Sequence, residues 1–155
     1  MIDTAKPSWI VRIPTPIWLI VLIVVALMAD RLFALPAYFQ YKAIGIALIV
    51  LGVAVSVSGN FTFRKRGAEI IPSSEVHSTL VQSGLYRITR NPMYLGLVII
   101  GIGAALVAGT WLMWLVPIVI FALDNFVIIP FEERSMERVY GDAFREYKTR
   151  VRRWV

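Results

Sequence analysis

The chain has 155 residues, of which 58% are hydrophobic, and it carries a formal net charge of +6. This apolar share exceeds the roughly 45–50% of ordinary soluble domains, so the composition predicts an integral membrane protein that forms one domain over residues 1–155. Cysteine is absent and the only histidine is His77. The sequence therefore excludes disulfides and thiolate sites, and it argues against a zinc or haem site held by protein ligands.

Uncharged apolar stretches locate the predicted membrane helices. The stretch at 91–123 is too long for one span of about 20 residues. Gly109-Thr110 offers the natural place for a tight turn, so this stretch is expected to form two helices. The result is an all-α bundle of about four membrane helices. In chain order, the predicted spans are residues 14–33, 43–63, 93–108 and 110–129.

Basic residues are distributed unevenly between the two ends of these spans. All of the 16 Lys and Arg residues except Arg31 and Lys42 lie at the end that holds both termini and the connection 64–92. Basic residues are enriched on the cytoplasmic side of membrane proteins, so both termini are expected in the cytoplasm. Attraction to anionic lipids accounts for the positive charge, which argues against a nucleic-acid partner.

The connection between the second and third spans is long for a small helical protein. Residues 64–90 contain short apolar pieces separated by proline, serine and glycine. Long loops without obvious structure tend to be functional. We expect a segment that lies on the membrane surface, with an ordinary surface loop as the alternative, and we expect His77 to be a surface residue.

A polar motif, SGLYRITRNPMYLG, precedes the third span. Asn91-Pro92 predicts a helix start, with Asn at the N-cap and Pro at the first helical position. Arg87 and Arg90 stand just before this start, where the helix dipole already attracts anions. Two guanidiniums beside free backbone N–H groups are typical of a carboxylate or phosphate site. The alternative is that both arginines extend to lipid phosphates.

A second polar segment follows the fourth span. Pro130, Glu132 and Glu133 predict a new helix start, because acids are favoured in a first turn. Apolar residues at helical spacing then indicate an amphipathic cytoplasmic helix. Gly141 within it costs about 1 kcal/mol relative to alanine, which suggests a close contact there. The apolar stripe comprises Val139, Tyr140, Ala143, Phe144, Tyr147 and Val151.

Two weaker signals lie inside the spans. Asp124-Asn125 is a functional candidate because acids within spans are costly. A hydrated aspartate near the interface is the alternative. A set of glycines predicts close helix packing, although a flat ligand against the same face is also compatible. These glycines are Gly45, Gly52, Gly96, Gly101 and Gly103.

Together, these segments resemble the isoprenylcysteine carboxyl methyltransferase and phospholipid methyltransferase superfamily over residues 42–155. The pattern of that superfamily is G-P-Y-R-x-x-R-H-P-x-Y, a helical hairpin, E-E, and F-G-x-x-Y-x-x-Y. Asn91 replaces the histidine of the isoprenylcysteine enzymes, and Asn-Pro-Met-Tyr is similar to the phosphatidylethanolamine branch and to bacterial relatives. The matching positions are Gly84, Leu85, Tyr86, Arg87, Arg90, Asn91, Pro92, Tyr94, Glu132, Glu133, Tyr140, Gly141, Phe144 and Tyr147.

The resemblance implies S-adenosylmethionine as cofactor, bound on the cytoplasmic side by residues 64–94 and 124–155. Arginines and the helix start would hold its carboxylate, and the paired glutamates would hold its ammonium, sulfonium and ribose hydroxyls. Tyrosines would stack on the adenine or face the sulfonium. The implied catalytic residues are Arg87, Arg90, Asn91 and Glu133. The implied cofactor-binding residues are Tyr86, Arg87, Arg90, Asn91, Pro92, Tyr94, Gly96, Glu132, Glu133 and Tyr147.

The resemblance also implies methyl transfer to a lipophilic or membrane-embedded substrate in a bacterial inner membrane. A phospholipid amine, an isoprenylcysteine-like carboxylate and a small thiol all remain open as the acceptor. An amine would have to lose a proton, and Glu132 or Glu133 is available to assist. The alternatives are a membrane reductase of the sterol-reductase type that uses a nicotinamide cofactor, a non-enzymatic membrane scaffold and a small transporter.

Overall fold

The computed structural model describes residues 9–34, 36–38, 40–65 and 80–155. His77 lies outside the described residues, as does the rest of the segment 66–79, about half of the connection 64–92. The described chain is mainly helical and contains no β-strand. Short 3-10 turns lie at Gly84–Arg87 and Leu112–Trp114, and a π-helical segment lies at Asp124–Ile128. The α-helices are α1 (Trp9–Arg12), α2 (Thr15–Leu32), α3 (Lys42–Lys65), α4 (Pro92–Ala108), α5 (Leu115–Leu123), α6 (Ile129–Tyr140) and α7 (Asp142–Arg150).

Three helices of the described chain are long and apolar enough to cross a membrane: α2, α3 and the continuous helix Leu112–Tyr140. The apolar helix α4 is shorter, with 17 residues or about 26 Å of length. Large apolar side chains remain exposed on the outer faces, including Met28 at 68% and Val50 at 64%. Such faces suit contact with lipid. The predicted all-α membrane bundle is confirmed, and α2 to α4 begin and end within two residues of the predicted bounds.

α3 and α4 pack against each other along a stripe of glycines. A Cβ atom on Gly52 would lie 2.6 Å from the carbonyl oxygen of Gly96, and one on Gly45 would lie 2.7 Å from that of Gly103. These distances leave no room for a side chain, so the two backbones approach as closely as in other small-residue membrane interfaces. Early α3 faces late α4, so the helices are antiparallel. The predicted packing role is confirmed, and the stripe has no space for a flat ligand.

The turn between α4 and α5 lies where the sequence predicts it. α4 ends at Ala108 and is followed by Gly109, whose φ of 74° is the left-handed conformation that glycine adopts without strain. The adjacent Thr110 hydroxyl donates a hydrogen bond of 2.7 Å to the Asp30 carboxylate near the end of α2. The end of α2 and this turn therefore lie together at one end of the bundle. The starts of α2 and α4 lie at the opposite end.

The prediction that a new helix begins at Pro130 is wrong. The chain is helical without a break from Leu112 to Tyr140. Proline normally interrupts a helix because it has no N–H group and its ring crowds the carbonyl four residues earlier. Here the π segment immediately precedes it, and the Ile129 N–H donates to the carbonyl of Asp124, five residues earlier. This wider turn allows the helix to pass the proline, so the predicted fourth span at 110–129 continues into α6.

The predicted C-terminal amphipathic helix is divided at Gly141. This residue has φ 52° and ψ −124°, a backbone conformation that residues with side chains rarely adopt. A Cβ atom there would meet nothing within 4 Å, so the expectation of a close contact is wrong. The change of direction leaves Val139 62% exposed, whereas Phe144 and Tyr147 of α7 are buried. α7 is therefore amphipathic, but the apolar stripe does not extend back into α6.

The glycine stripe makes a prediction about stability. Gly52→Ala should lower the free energy of unfolding by about 1–3 kcal/mol, because its new methyl group collides with the rigid backbone carbonyl of Gly96. Gly59→Ala in the same helix is the control. Its methyl group would come no closer than 3.1 Å to the Met93 and Pro92 side chains and 3.3 Å to the Met93 nitrogen, so the collision is much milder than the one at Gly52. Unfolding in detergent measures both variants, and equal stability of the two would contradict this packing.

Candidate functional site

A polar site is assembled at the end of the bundle where α4 begins. The C-terminal segment, residues 151–155, returns to this point and lies alongside residues 89–91. Thr89 and Arg152 form an isolated parallel bridge, and the Arg90 N–H donates to the Arg152 carbonyl at 3.0 Å. The two polar segments of the sequence are thereby brought together by the last residues of the chain.

Glu133 lies at the centre of this contact between two arginines. Its Oε1 accepts a hydrogen bond of 2.9 Å from Arg90 Nη2, and its Oε2 accepts one of 2.7 Å from Arg153 Nη2. Arg90 also donates to the carbonyls of Lys148 and Val151, at 3.2 Å each. The side chains of Glu133 and Arg90 are only 13% and 11% exposed. In such a shielded ion pair, removing either partner would leave a buried charge without a counter-charge, which is strongly destabilising.

Asn91 joins the C-terminal segment to the start of α4. It occupies the N-cap position and Pro92 the first turn, as predicted, but the Asn91 side chain makes no capping hydrogen bond. Its Nδ2 instead donates to the Arg153 carbonyl at 3.0 Å. The Thr89 hydroxyl donates to the same carbonyl at 2.9 Å and accepts from the Asn91 N–H. The residue that replaces the family histidine therefore holds the C-terminal segment.

Two residues of this network, Arg153 and Trp154, are not among the predicted site residues. Arg153 contacts Glu133 and donates to the carbonyl of Asn125 at 3.2 Å. Trp154 Nε1 donates to the Asn125 side chain at 3.0 Å, and its ring lies 5.0 Å from that of Phe121. The one available signal was a tryptophan directly after two arginines at the end of a polar tail.

Glu132 points to a different side of α6 from Glu133, because consecutive residues of a helix are about 100° apart. Its Oε1 accepts a hydrogen bond of 2.5 Å from the Tyr94 hydroxyl in the first turn of α4. Asp124 is fully buried on this inner side, and Thr15 at the start of α2 lies close to it. The inner side of the site is therefore acidic and polar.

The outer side of the site is a cationic groove of about 470 Å³. Arg87, Arg150 and Tyr147 line it, together with Gln82 and Val151. Arg87 is exposed. Arg150 donates to the Gln82 side chain at 3.2 Å. The groove is open to solvent, so an anionic molecule can reach both guanidiniums.

Tyr86 and Tyr147 lie between the groove and the inner acids. The Tyr147 hydroxyl donates a hydrogen bond of 2.6 Å to the Tyr86 carbonyl, and both side chains are buried. Burial raises the pKa of Tyr147 to about 12, so this phenol remains a neutral donor at physiological pH. Burial, with smaller contributions from Tyr147 and Glu132, also raises the pKa of Tyr86.

The predicted site residues thus fall into separate groups. Arg87 lies on the outer groove, whereas Arg90 is held by Glu133 and by backbone carbonyls. The structure does not place these two arginines on one shared anion site. Gly96 faces α3, and a Cβ atom on it would collide with Ser56 and with the backbone of Gly52.

The fold and the site define an integral membrane protein of the helical class with one polar site at the end of its bundle. The sequence profile of the phospholipid methyltransferases matches residues 41–143, more than half of the chain. The chain belongs to the phospholipid methyltransferase family. The resemblance inferred from the polar motifs is thereby confirmed, and the family indicates a methyltransferase that acts on a membrane substrate.

Two relatives are informative about the extent of this similarity. The chain is 30% identical over 114 residues to protein-S-isoprenylcysteine O-methyltransferase B of Arabidopsis thaliana. The aligned region covers 69% of this chain and 55% of the plant protein. The chain is 40% identical over 63 residues to an uncharacterized protein of Haemophilus influenzae, covering 41% of this chain and all of that one. The chain thus spans about half of the plant enzyme. No solved structure shows a significant match.

The Glu133 network makes a prediction about stability. Glu133→Gln should lower the free energy of unfolding by about 3 kcal/mol, because it leaves two guanidiniums facing each other without the shared carboxylate. The matched control is Glu137→Gln, which removes a partly exposed acid paired with Arg145 and Lys148 on the surface. Exposed pairs contribute little, so the control should unfold like the wild type. Equal losses in the two variants would show that Glu133 does not hold the C-terminal segment.

Proposed function

We propose that the protein transfers a methyl group from S-adenosylmethionine to a lipophilic or membrane-embedded acceptor. Family membership supports the reaction class. The observation that supports the cofactor is the division of the site into an outer groove with Arg87 and Arg150 and an inner side with Glu132. S-adenosylmethionine carries a carboxylate beside its ammonium and a positive sulfonium further along the molecule, so the carboxylate suits the groove and the sulfonium suits the acidic side.

The groove residues fit the carboxylate of the cofactor. Arg87 and Arg150 provide charge-assisted donors there, and Gln82 adds a polar side chain. On the inner side, Glu132 provides an acceptor for the ammonium, the sulfonium or the ribose hydroxyls. When bound, the cofactor supplies a methyl group that is already activated by the positive sulfonium. The chain then has to orient this group and keep water away from it.

Three predicted catalytic residues are proposed to position the site. Glu133 and Arg90 hold α6 and the C-terminal segment against the start of α4, and Asn91 holds the carbonyl of Arg153. These contacts use the polar atoms that a cofactor carboxylate would otherwise need. Pro92 contributes by starting α4 at this point.

The tyrosines are proposed to form the wall between the two sides of the site. Tyr86 and Tyr147 are buried and joined by a hydrogen bond, so they present a stiff apolar surface to a ligand in the groove. Tyr94 fixes the Glu132 carboxylate through its hydroxyl. An aromatic face near a sulfonium also stabilises the positive charge by cation–π attraction.

The acceptor is proposed to reach the site from the bilayer. The outer faces of the apolar helices are exposed to lipid, whereas the groove is polar. A carboxylate acceptor of the isoprenylcysteine type needs no proton removal before it attacks. An amine acceptor of the phospholipid type has to lose a proton first, and this requires a nearby base.

The cofactor proposal is tested by calorimetric titration of the purified protein with S-adenosylhomocysteine. The wild type should bind with micromolar affinity, and Arg87→Ala and Glu132→Gln should each weaken binding at least about 10-fold. Each variant removes one of the two charges that fit the ligand. A folded wild type that does not bind would contradict the cofactor assignment.

The matched control is Arg138→Ala on the exposed surface of α6. It removes the same charge as Arg87→Ala but lies outside the groove, so its affinity should remain within about two-fold of the wild type. If Arg138→Ala weakened binding as much as Arg87→Ala, the effect would reflect net charge rather than a site.

We also propose that both termini and the site face the cytoplasm of a bacterial inner membrane. The support is the concentration of Lys and Arg at the polar end, since only Arg31 and Lys42 lie at the other. Reporter fusions after Val155 and within residues 34–40 test this. The first should be active only as a cytoplasmic reporter and the second only as a periplasmic reporter. The reverse pattern would overturn the orientation.

A further inference from the structure

The π segment leaves one backbone carbonyl of the membrane helix without its regular helical donor. In an α-helix the Asn125 carbonyl would accept from the Ile129 N–H, but that N–H donates to the Asp124 carbonyl. The next donor along the chain would be the N–H of residue 130, which is a proline and has none. A backbone carbonyl without a partner is costly in a membrane helix, so this one requires a donor from another part of the chain.

Two residues of the C-terminal segment supply donors at this point. Arg153 Nη1 donates to the Asn125 carbonyl at 3.2 Å and to the side-chain Oδ1 of the same residue at 3.3 Å. Trp154 Nε1 donates to that Oδ1 at 3.0 Å. The Trp154 ring also lies 5.0 Å from the ring of Phe121, which precedes Asn125 by one turn of the same helix. The π segment is therefore a docking point for these two side chains.

The orientation of α7 depends on contacts near its end. The helix begins after Gly141, where a Cβ atom would meet nothing within 4 Å, so the turn is open on that side. With nine residues, α7 is too short to be a stable helix by itself. Its last residue is Arg150, which lines the groove. The contacts that hold the chain directly after Arg150 therefore help to set the position of this guanidinium.

A short extended stretch connects the groove to the π segment. Val151 has φ −124° and ψ 131°, which is extended backbone, and it lines the groove next to Arg150. Two residues further on, Arg153 reaches Asn125. An extended chain rises about 3.3 Å per residue, so Arg150 and Arg153 are about 10 Å apart along it. A displacement at Arg153 is thus transmitted to the groove over only three residues.

This inference rests on the proposed function. We propose that Asn125, Arg153 and Trp154 are positioning residues for the cofactor groove. They hold the C-terminal segment against the π segment and thereby keep Arg150 in the groove together with Arg87. The described lining of the groove includes none of the three, so they act through Arg150 and make no contact with the ligand. An anion that needs both guanidiniums is then bound tightly only while the C-terminal segment is held.

The test compares Asn125→Leu, which removes the side-chain acceptor, with Asn125→Asp, which keeps an Oδ1 acceptor beside the Arg153 guanidinium. The matched control is Asn60→Leu, the same change at an exposed position of α3. Titration with S-adenosylhomocysteine measures the affinity of the groove, and thermal unfolding in detergent measures stability. Because the chain has no cysteine, a spin label on Val155→Cys is attached at a single position and reports the mobility of the C-terminal segment.

Asn125→Leu should increase the mobility of the label and weaken the binding of S-adenosylhomocysteine about 10-fold, because Arg150 is no longer held in place. Its unfolding midpoint should stay within about 4 °C of the wild type, since few contacts are lost. Asn125→Asp should restore the affinity to within about two-fold of the wild type and the label to its low mobility. Asn60→Leu should match the wild type in affinity and in mobility.

Equal affinity of Asn125→Leu and the wild type would overturn the inference and leave the cofactor assignment standing. A loss of affinity that Asn125→Asp does not restore, or that Asn60→Leu shares, would overturn it as well. A wild type that does not bind S-adenosylhomocysteine would refute the proposed function, and the inference with it. If Asn125→Leu does not fold, Trp154→Phe decides, because it removes only the Nε1 donor: affinity should fall about three-fold, and unchanged affinity would overturn the inference.

Discussion

The site depends on one shared carboxylate, that of Glu133, which holds Arg90 from the start of α4 and Arg153 from the C-terminal segment. In this shielded position, each guanidinium needs a counter-charge and each carboxylate oxygen needs a donor, so all three side chains are favourable only together. Their pairing keeps α7 close to the 3-10 turn before α4, where Tyr147 reaches the Tyr86 carbonyl. The groove and its wall exist because this contact holds.

The glycine stripe supports the same site from within the bundle. α3 and α4 approach so closely that their backbones nearly touch at Gly52 and Gly96. Close packing of rigid helices places the first turn of α4 accurately, and that turn carries Tyr94. Catalytic sites need their groups held by rigid elements, because small displacements cost large factors in rate. A substitution in the glycine stripe would therefore displace the first turn of α4, and with it Tyr94, without contacting the site.

Adjacent glutamates have different neighbours because of helix geometry. Glu133 faces the C-terminal segment, whereas Glu132 faces Tyr94 and the side of the bundle that contains Asp124. The outer groove is cationic and the inner side acidic, and the two are separated by the buried tyrosines. The family match ends at residue 143, so the C-terminal segment that closes this arrangement lies beyond it.

The sequence alone determined the membrane class, the apolar helices, the glycine packing, the start of α4 at Pro92 and the family, because these follow from composition, short-range periodicity and local motifs. Only the tertiary structure separated Arg87 from Arg90, gave Asn91 the Arg153 carbonyl and carried the helix past Pro130. Asn91 and Arg153 are 62 positions apart. A contact over that distance depends on how helices pack and where Gly141 turns the chain, which no local pattern specifies.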